Sequence, residues 1–373
     1  MLYTVVPHPR IKQEWDTFCE NCVSAWFFHT TGWIEYTASM PMSGSTENLS
    51  FAVTEGNRLL ALVPLLKERH GDRLHFAYGG WNTPFPAFLD SMGYAERKAV
   101  EKFVFETVRT IPDIDYACFY VCGLSEEVLN GSLRVNPIPK HGFHDTTIST
   151  YILNLQKEDE DALYRGFRKG CKSDIKTAQK RGFKTVIVDS DNYEARYFDR
   201  YRSIHREAAG RQTRSDESWE KQRDWLKAGK SVLALLEKEG THISAAFINT
   251  YKDKAYYQSA GTLPSFEGER GTGHLVHWEI IRYLKHRGYK WYETGNAYYP
   301  NISQEVADEK LLGISRFKGS FAADLYPLFR GERFGTIDYM KKVYAQRLAV
   351  YEALTEQALQ FSLGGRQQEQ AGK

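Results

Sequence analysis

The chain has 373 residues, of which 42% are hydrophobic and 14% aromatic, enough to bury the cores of two domains. Its 49 basic and 47 acidic side chains leave a formal net charge of +2, which excludes a general affinity of the whole surface for polyanions. No apolar run is long enough to span a membrane, and residues 1–15 lack the apolar core of a signal peptide. We therefore expect a cytoplasmic protein without a transmembrane segment.

The first third of the chain reads as a mixture of strands and helices. A short strand over residues 2–6 precedes an amphipathic helix over 11–25, and Thr31 is placed to cap the next helix. Three strand-like runs follow, separated by turn residues, and then come a helix and another strand. The runs are 49–54, 59–66 and 74–78, the helix is 93–110 and the strand is 115–122.

The second half repeats this plan. After a strand over residues 150–155, a basic helix and helices over 192–209 and 216–228, three strand-like runs again precede a helix and a strand. These elements are 232–237, 243–250 and 255–259, then 273–286 and 291–294. Turn residues recur at similar spacing, because Glu239 follows Glu55 by 184 residues and Gly261 follows Gly80 by 181. The pattern predicts two copies of one α/β unit.

The pattern near the end of the chain predicts which residues belong to each unit. An amphipathic helix over residues 337–359 is expected to pack back onto the first unit, and the polar residues 364–373 are expected to be disordered. We therefore predict a first domain of residues 1–148 plus 331–363 and a second domain of residues 149–330.

A strongly basic segment opens the second unit. Between residues 165 and 184, eight basic side chains face one acid, Asp174, a local charge of +7. Their spacing predicts a basic face on a helix over 161–184, opposite an apolar stripe, with Gly182 as the C-terminal cap. The stripe is Leu163, Phe167, Cys171, Ile175 and Ala178. Such a face is either a solvated surface or a binding surface for phosphates of a nucleotide-linked substrate, a tRNA or CoA.

The five cysteines are odd in number and scattered. Cys19 and Cys22 have the spacing of a metal-binding pair, but no second pair completes a ligand set. We expect thiols in the core or on helix surfaces, and we predict no metal site.

Three ordered stretches resemble the FemAB family of non-ribosomal peptidyltransferases. They are FRKGCKSDIKTAQKRGFK (167–184), the segment 255–295 and LLGISRFKGSFAADLYPL (311–328), with weaker similarity at 29–36 and 78–80. The resemblance implies an α/β fold of two GNAT-like units in tandem, with mixed sheets flanked by helices. It also implies transfer of an acyl or aminoacyl group from acyl-CoA or aminoacyl-tRNA to an amine. The implied acceptor is a precursor of peptidoglycan, of another part of the cell envelope or of a polysaccharide. No tightly bound cofactor is implied.

The implied partners are an anionic or lipid-linked acceptor and tRNA, with peripheral membrane contact and no DNA. Two alternatives stay open. One is an acyl-CoA-dependent N-acetyltransferase acting on an amino sugar or amino acid. The other is a catalytically degenerate module that binds an anionic glycolipid or RNA.

Two residues are candidates for the chemistry. Lys318, in a predicted loop, matches the family lysine that is implied to stabilise charge in the transition state, a role that suits an ammonium group. Glu293 lies near the end of a predicted strand, where the strands of a GNAT fold diverge, and is a candidate site carboxylate or general base.

Further residues are candidates for binding. Arg211 or Arg214 corresponds to a family arginine that is implied to hold an acceptor phosphate. The lysine that follows the tryptophan in the family's first domain has no match after Trp33, and this difference argues against a nucleotide-sugar acceptor. Glycines at a helix start can present backbone amides to pyrophosphate, although Leu275 replaces the small residue of the acetyl-CoA signature. The remaining candidates are Arg168, Lys172 and Tyr256 for substrate, and Arg270, Gly271 and Gly273 for the co-substrate.

Overall fold

The computed structural model describes residues 3–40, 45–299 and 309–371, with side chains for all of these except 309 and 357–371. Within these residues, strands form three sheets with helices on their faces. The chain is therefore a mixed α/β protein.

The first unit contains two of the sheets. Its helices are α1 (Lys12–Asn21), α2 (Thr31–Ala38), α3 (Tyr94–Arg109) and α4 (Glu126–Leu129). Its first strands are β1 (Thr4–Pro7), β2 (Thr46–Asn48), β3 (Phe51–Glu55), β4 (Arg58–Val63) and β5 (Leu66–His70). The later ones are β6 (Arg73–Phe76), β7 (Thr83–Pro84), β8 (Ala87–Phe88), β9 (Tyr116–Tyr120) and β10 (His144–Asp145). The N-cap of α2 is Thr30 rather than Thr31, because the Thr30 hydroxyl accepts from the Trp33 amide.

The second unit is built on one sheet of seven strands. Its strands are β11 (Ile148–Asn154), β12 (Lys184–Val188), β13 (Ser231–Lys238), β14 (Thr241–Tyr251), β15 (Lys254–Thr262), β16 (Trp291–Ala297) and β17 (Asp324–Leu328). Its helices are α5 (Glu160–Gly166), α6 (Lys169–Lys180), α7 (Ala195–Ala209), α8 (Asp216–Lys227), α9 (Thr272–His286) and α10 (Glu309–Lys318). The strand order is β12-β13-β14-β15-β16-β11-β17.

Each unit has short parallel pairings in an otherwise antiparallel sheet. In the first unit β6 and β9 pair at two positions, and β7 then takes the place of β6 beside β9. In the second unit β15 and β16 pair at three positions, the last being Tyr256 with Glu293, after which they diverge. In each unit a helix lies between the two parallel strands along the chain: α3 between β6 and β9, and α9 between β15 and β16. This is the repeat that the sequence predicts.

The chain returns to the first unit near its end. Strand β17 lies in the second unit's sheet, but the next strand, β18 (Arg330–Phe334), pairs with β9 and β10. The following helix, α11 (Ile337–Ala371), is attached there by Arg347, whose two guanidinium nitrogens donate to the Glu332 carboxylate at 2.8 and 3.0 Å. We propose domains of residues 1–148 plus 331–363 and 149–330. Helix α11 continues through the segment 364–371, where the sequence predicts disorder; its glutamine, glutamate and alanine residues favour a helix.

The basic segment differs from its prediction in one respect. Two helices, α5 and α6, replace the single helix over 161–184, because Phe167 leaves the helical conformation at ψ 147° and buries its ring against Trp278 and Phe321. The predicted apolar stripe is buried along its whole length. Gly182 has a φ of +81°, as expected of a cap residue.

A hydrophobic core joins the two units. One cluster of buried side chains runs from Trp15 in the first unit to Tyr292 in the second, while another lies mainly in the first unit around Phe105 and Phe119. All five cysteines are buried and unpaired. In the part of the chain that the structure describes, no helix is long and apolar enough to cross a membrane.

Candidate active site

A cleft of about 200 Å³ lies where the diverging strands of the two units face each other. The first unit contributes the segment after β6 and the end of β9, and the second unit contributes β15 and β16. Six aromatic side chains line the cleft. The lining side chains include Trp33, Trp81, Tyr120, Tyr256, Gln258 and Glu293.

Glu293 is the carboxylate of this cleft. It lies at the last pairing position between β15 and β16 and is only 4% exposed. The Thr150 hydroxyl donates to its Oε1 at 2.6 Å. Burial raises the pKa of Glu293 to about 7, against the opposing effects of the Thr150 hydrogen bond and the Lys318 charge. The side chain is therefore divided between acid and base near neutral pH.

Lys318 lies beside Glu293, at the end of helix α10 and not in the predicted loop. It is 8% exposed, and its Nζ donates to the Asn296 carbonyl oxygen at 3.4 Å. Gly295, with a φ of +97°, lets the ammonium approach, because a Cβ at this position would lie 2.9 Å from Nζ. Burial lowers the pKa of Lys318 to about 8, although the Glu293 charge acts in the opposite direction.

This pair has the properties that acyl transfer to an amine needs. A base with a pKa near 7 can accept a proton from an attacking amine, and an ammonium with a pKa near 8 is still charged at that pH. In a buried cleft, the ammonium stabilises a developing oxyanion more strongly than it would in water.

The two candidate arginines occupy different environments. Arg211 is exposed, whereas Arg214 is 9% exposed and lies between the units. The Arg214 guanidinium donates to the Tyr36 hydroxyl at 3.2 Å and to Gln222 Oε1 at 2.9 Å. Gln258, which lines the cleft, donates to the same Tyr36 hydroxyl at 2.9 Å. Arg214 thus supports the cleft wall through Tyr36 and has few donors left for a phosphate.

The basic face of α5 and α6 is open to solvent beside Lys318. The backbone amide of Arg168 donates to the Ser320 carbonyl, two residues after Lys318, at 3.0 Å. Lys172 is half-buried, and its Nζ closes the end of α5 by donating to the Arg165 carbonyl at 3.0 Å. Among the described residues no acid forms an ion pair with the following cations: Arg165, Arg168, Lys169, Lys172, Lys176 and Lys180.

The glycines that open α9 are closely packed. Gly271 has a φ of +84°, and a Cβ there would overlap the Asp174 carbonyl of α6, while Gly273 faces the Phe317 ring. Arg270 donates to Asp174 Oδ1 at 2.6 Å, and His274 lies 3.4 Å from its other oxygen. The Asp174 carboxylate therefore already lies near the start of α9, where the helix dipole favours an anion.

Several residues of the cleft were not found from the sequence. Thr150, Gln258 and Tyr36 belong to three separate elements, and nothing in the local pattern distinguishes them from ordinary strand and helix residues. Gly123 offered a weak signal: it is the third residue after β9, and a Cβ there would lie 2.8 Å from Thr150.

Comparisons with known proteins agree with this architecture. Residues 165–301 match the family described as acetyltransferase (GNAT) domain. The crystal structure of FemX superposes with a TM-score of 0.61 at 14% identity, covering 92% of this chain and all of that one. The L-PGS from Bacillus licheniformis gives 0.54 at 11% identity, with 92% and 96% covered.

The C-terminal domain of a putative lysylphosphatidylglycerol synthetase from Agrobacterium fabrum also gives a TM-score of 0.54 at 11% identity, with 91% of this chain and 97% of that one covered. No curated protein matches significantly. The predicted α/β fold with two GNAT-like units is thereby confirmed. The chain thus shares the fold of FemX, and residues 165–301 in its second unit match the acetyltransferase (GNAT) domain family.

Proposed function

We propose that this protein is an N-acyltransferase of FemAB type, which transfers an acyl or aminoacyl group to an amine of a cell-envelope or polysaccharide precursor. One observation carries the proposal: Glu293 lines the cleft between the units, and the buried Lys318 interacts with its charge and donates to the carbonyl of Asn296 in the cleft wall, the two pKa values being about 7 and 8.

In the proposed reaction, the Glu293 carboxylate accepts a proton from the acceptor amine as its nitrogen attacks the acyl carbonyl carbon. The carbonyl oxygen becomes an oxyanion, which the Lys318 ammonium stabilises. When the C–N bond is complete and the bond to the leaving group breaks, the proton held by Glu293 passes to the leaving hydroxyl or thiol. Glu293 returns to its carboxylate form, and Lys318 keeps its proton throughout.

The surroundings of the cleft favour a tRNA-linked donor. The exposed cations of α5 and α6 have no acidic partners among the described residues, so a phosphate backbone can neutralise them. The junction between the two helices contacts the segment after Lys318 through the amide of Arg168. The start of α9, where pyrophosphate would be expected, already faces Asp174 and Phe317. A lipid-linked acceptor is consistent with the fold, since a putative lysylphosphatidylglycerol synthetase shares it.

An acyl-CoA donor is the second candidate, because residues 165–301 match the acetyltransferase (GNAT) domain family. In that case the acceptor is an amino sugar or amino acid. Arg270 would have to leave Asp174 so that the amides at Gly271 and Gly273 become available to pyrophosphate.

Thermal shift measurements separate these donors. The protein is titrated with CoA, acyl-CoAs, uncharged and charged tRNA, and UDP-linked peptidoglycan precursors, because a ligand of the native state raises the melting temperature. We expect stabilisation by charged tRNA and none by CoA. The reverse result would move the protein to the acyl-CoA class.

Turnover with the stabilising donor then tests the site. Lys318→Glu should abolish product formation and Glu293→Gln should reduce it by about 10²- to 10⁴-fold. Arg196→Gln, which changes an exposed side chain outside the cleft, serves as the control. Full activity of a folded Lys318→Glu protein would overturn the proposed role of this lysine.

A further inference from the structure

A second, larger cavity of about 670 Å³ lies in the first unit, between α3, α4 and the segment before β10. Of the residues that line it, Cys122 alone also lines the cleft with Glu293. One part of its wall is apolar and another carries charges of both signs. The apolar part includes Phe85, Pro86, Leu133 and Pro137.

Most charges of this cavity are already neutralised within the protein. Glu101 of α3 is buried and binds His141 Nε2 at 2.8 Å and Lys140 Nζ at 3.0 Å. Lys102 lies 3.7 Å from Glu106. Lys98 is exposed to solvent at the rim.

Two partly buried charges of opposite sign have no ion-pair partner among the described residues. Arg97 of α3 places its guanidinium 3.8 Å from the centre of the Phe88 ring, and Glu127 belongs to α4. Both side chains are only partly exposed. Neither the Arg97 side chain nor the Glu127 side chain forms a hydrogen bond or an ion pair with another described residue, although both line the same cavity.

Such an arrangement is costly without a ligand. Burial lowers the pKa of Arg97 and raises the pKa of Glu127, so each is shifted toward its neutral form. The two charges attract each other, yet they lie beyond the 4 Å of an ion pair. A molecule that carries a carboxylate and an ammonium on adjacent positions would satisfy both groups at once.

We propose that this cavity binds a free α-amino acid with an apolar side chain. The carboxylate lies against Arg97, the ammonium lies against Glu127, and the side chain lies on the apolar wall formed by Phe85, Pro86, Leu133 and Pro137. Neither Glu293 nor Lys318 takes part, so this site does not depend on the proposed acyltransferase activity.

Isothermal titration calorimetry with three probes of similar shape tests this assignment. Leucine carries both charges, 4-methylpentanoate lacks the ammonium, and 3-methylbutylamine lacks the carboxylate. We expect leucine to bind about 10- to 100-fold more tightly than either analogue, since each lost charge-assisted contact is worth one to two factors of ten. Equal binding of leucine and 4-methylpentanoate, or binding of neither at millimolar concentration, would overturn the proposal.

Two variants assign the contacts. Arg97→Gln should weaken leucine and 4-methylpentanoate together, whereas Glu127→Gln should weaken leucine and leave 4-methylpentanoate unchanged. The matched controls are Arg196→Gln and Glu194→Gln, which remove an exposed ion pair near the start of α7 and should change neither affinity. Melting temperatures confirm that each variant is folded, and Glu293→Gln should bind leucine as the wild type does. Leucine affinity that is unchanged in both cavity variants would contradict the assigned contacts.

Discussion

At the scale of single residues, Glu293 and Lys318 each carry a charge that their surroundings disfavour. Burial moves the pKa of the carboxyl up to about 7 and that of the ammonium down to about 8, so the two values lie close together around neutral pH. Their separation in an unfolded chain would be about six units. The fold thus gives the two groups pKa values so close that a carboxylate and an ammonium, the forms required by the proposed acyl transfer, coexist only in a narrow pH range.

This closeness predicts a bell-shaped pH dependence of kcat/KM. Activity should rise as the pair loses its first proton near pH 7 and fall as it loses the second near pH 8, because the base must be ionised and the ammonium must be charged. Glu293→Gln should lower kcat by about 10²- to 10⁴-fold and remove the acidic limb. An acidic limb that persists in this variant would assign the base to another group.

The same burial predicts that Glu293 lowers the stability of the protein at neutral and alkaline pH. The pKa of Glu293 is raised from 4.5 in the folded state, so the folded protein holds this proton more tightly than the unfolded chain does. The resulting stabilisation is fully present below pH 4.5 and is lost as the pH rises through about 7. Glu293→Gln should therefore increase the free energy of unfolding by up to about 3 kcal/mol at pH 8 and change it little at pH 4.

Urea denaturation at both pH values measures this difference. Glutamine keeps an oxygen that accepts from Thr150, so the hydrogen bond itself is retained. Glu106→Gln, at a solvent-exposed position of α3, is the control and should show no such pH dependence. A variant that is less stable than the wild type at pH 8 would show that the carboxylate is held favourably.

At the scale of elements, the contact between α6 and α9 depends on Gly271. Its φ of +84° disfavours any other residue, and an added Cβ would overlap the backbone of Asp174. Gly271→Ala should cost about 2 kcal/mol or more, because neither helix can move without disturbing the core between them. Gly268→Ala, with no neighbour within 4 Å, is the matched control, and equal melting temperatures of the two variants would contradict the close packing.

The basic face of α6 predicts salt-dependent binding of nucleic acid. Lys176→Gln with Lys180→Gln should weaken tRNA binding and reduce the slope of log affinity against log salt by about one to two, one unit for each lost phosphate contact. The exposed pair Lys341→Gln and Lys342→Gln on α11 removes the same charge elsewhere. If both pairs weaken binding equally, the effect comes from net charge and not from this face.

The sequence was informative where a property repeats along one element. The apolar stripe from Leu163 to Ala178 follows helical periodicity, and all five of its residues are buried. The break at Phe167 could not be predicted, because it depends on Trp278 and Phe321, more than 100 residues away. For the same reason the pattern placed Lys318 in a loop and could not reveal that Tyr36 joins Arg214 to Gln258 across the two units.

At the scale of the whole molecule, the two units share buried surface as well as a cleft. Phe27 of the first unit lies 5.0 Å from the Trp225 ring and 6.2 Å from the Tyr251 ring of the second unit. Lys254, which is 3% exposed in its side chain, forms an ion pair with Glu126 of the other unit. These contacts make it unfavourable for one unit to unfold while the other stays folded.

The shared core predicts that the protein unfolds in one cooperative transition. Phe27→Ala, which removes a ring that is 1% exposed at the junction, should lower the stability of both units together by about 3–5 kcal/mol. Phe119→Ala, in the cluster that lies mainly in the first unit, should shift the same single transition. Differential scanning calorimetry tests this through the ratio of calorimetric to van't Hoff enthalpy, which should be close to one in all three proteins. Two separate transitions, or a Phe119→Ala effect on only part of the heat absorption, would show that the units fold independently and that the cleft between them can open without unfolding either one.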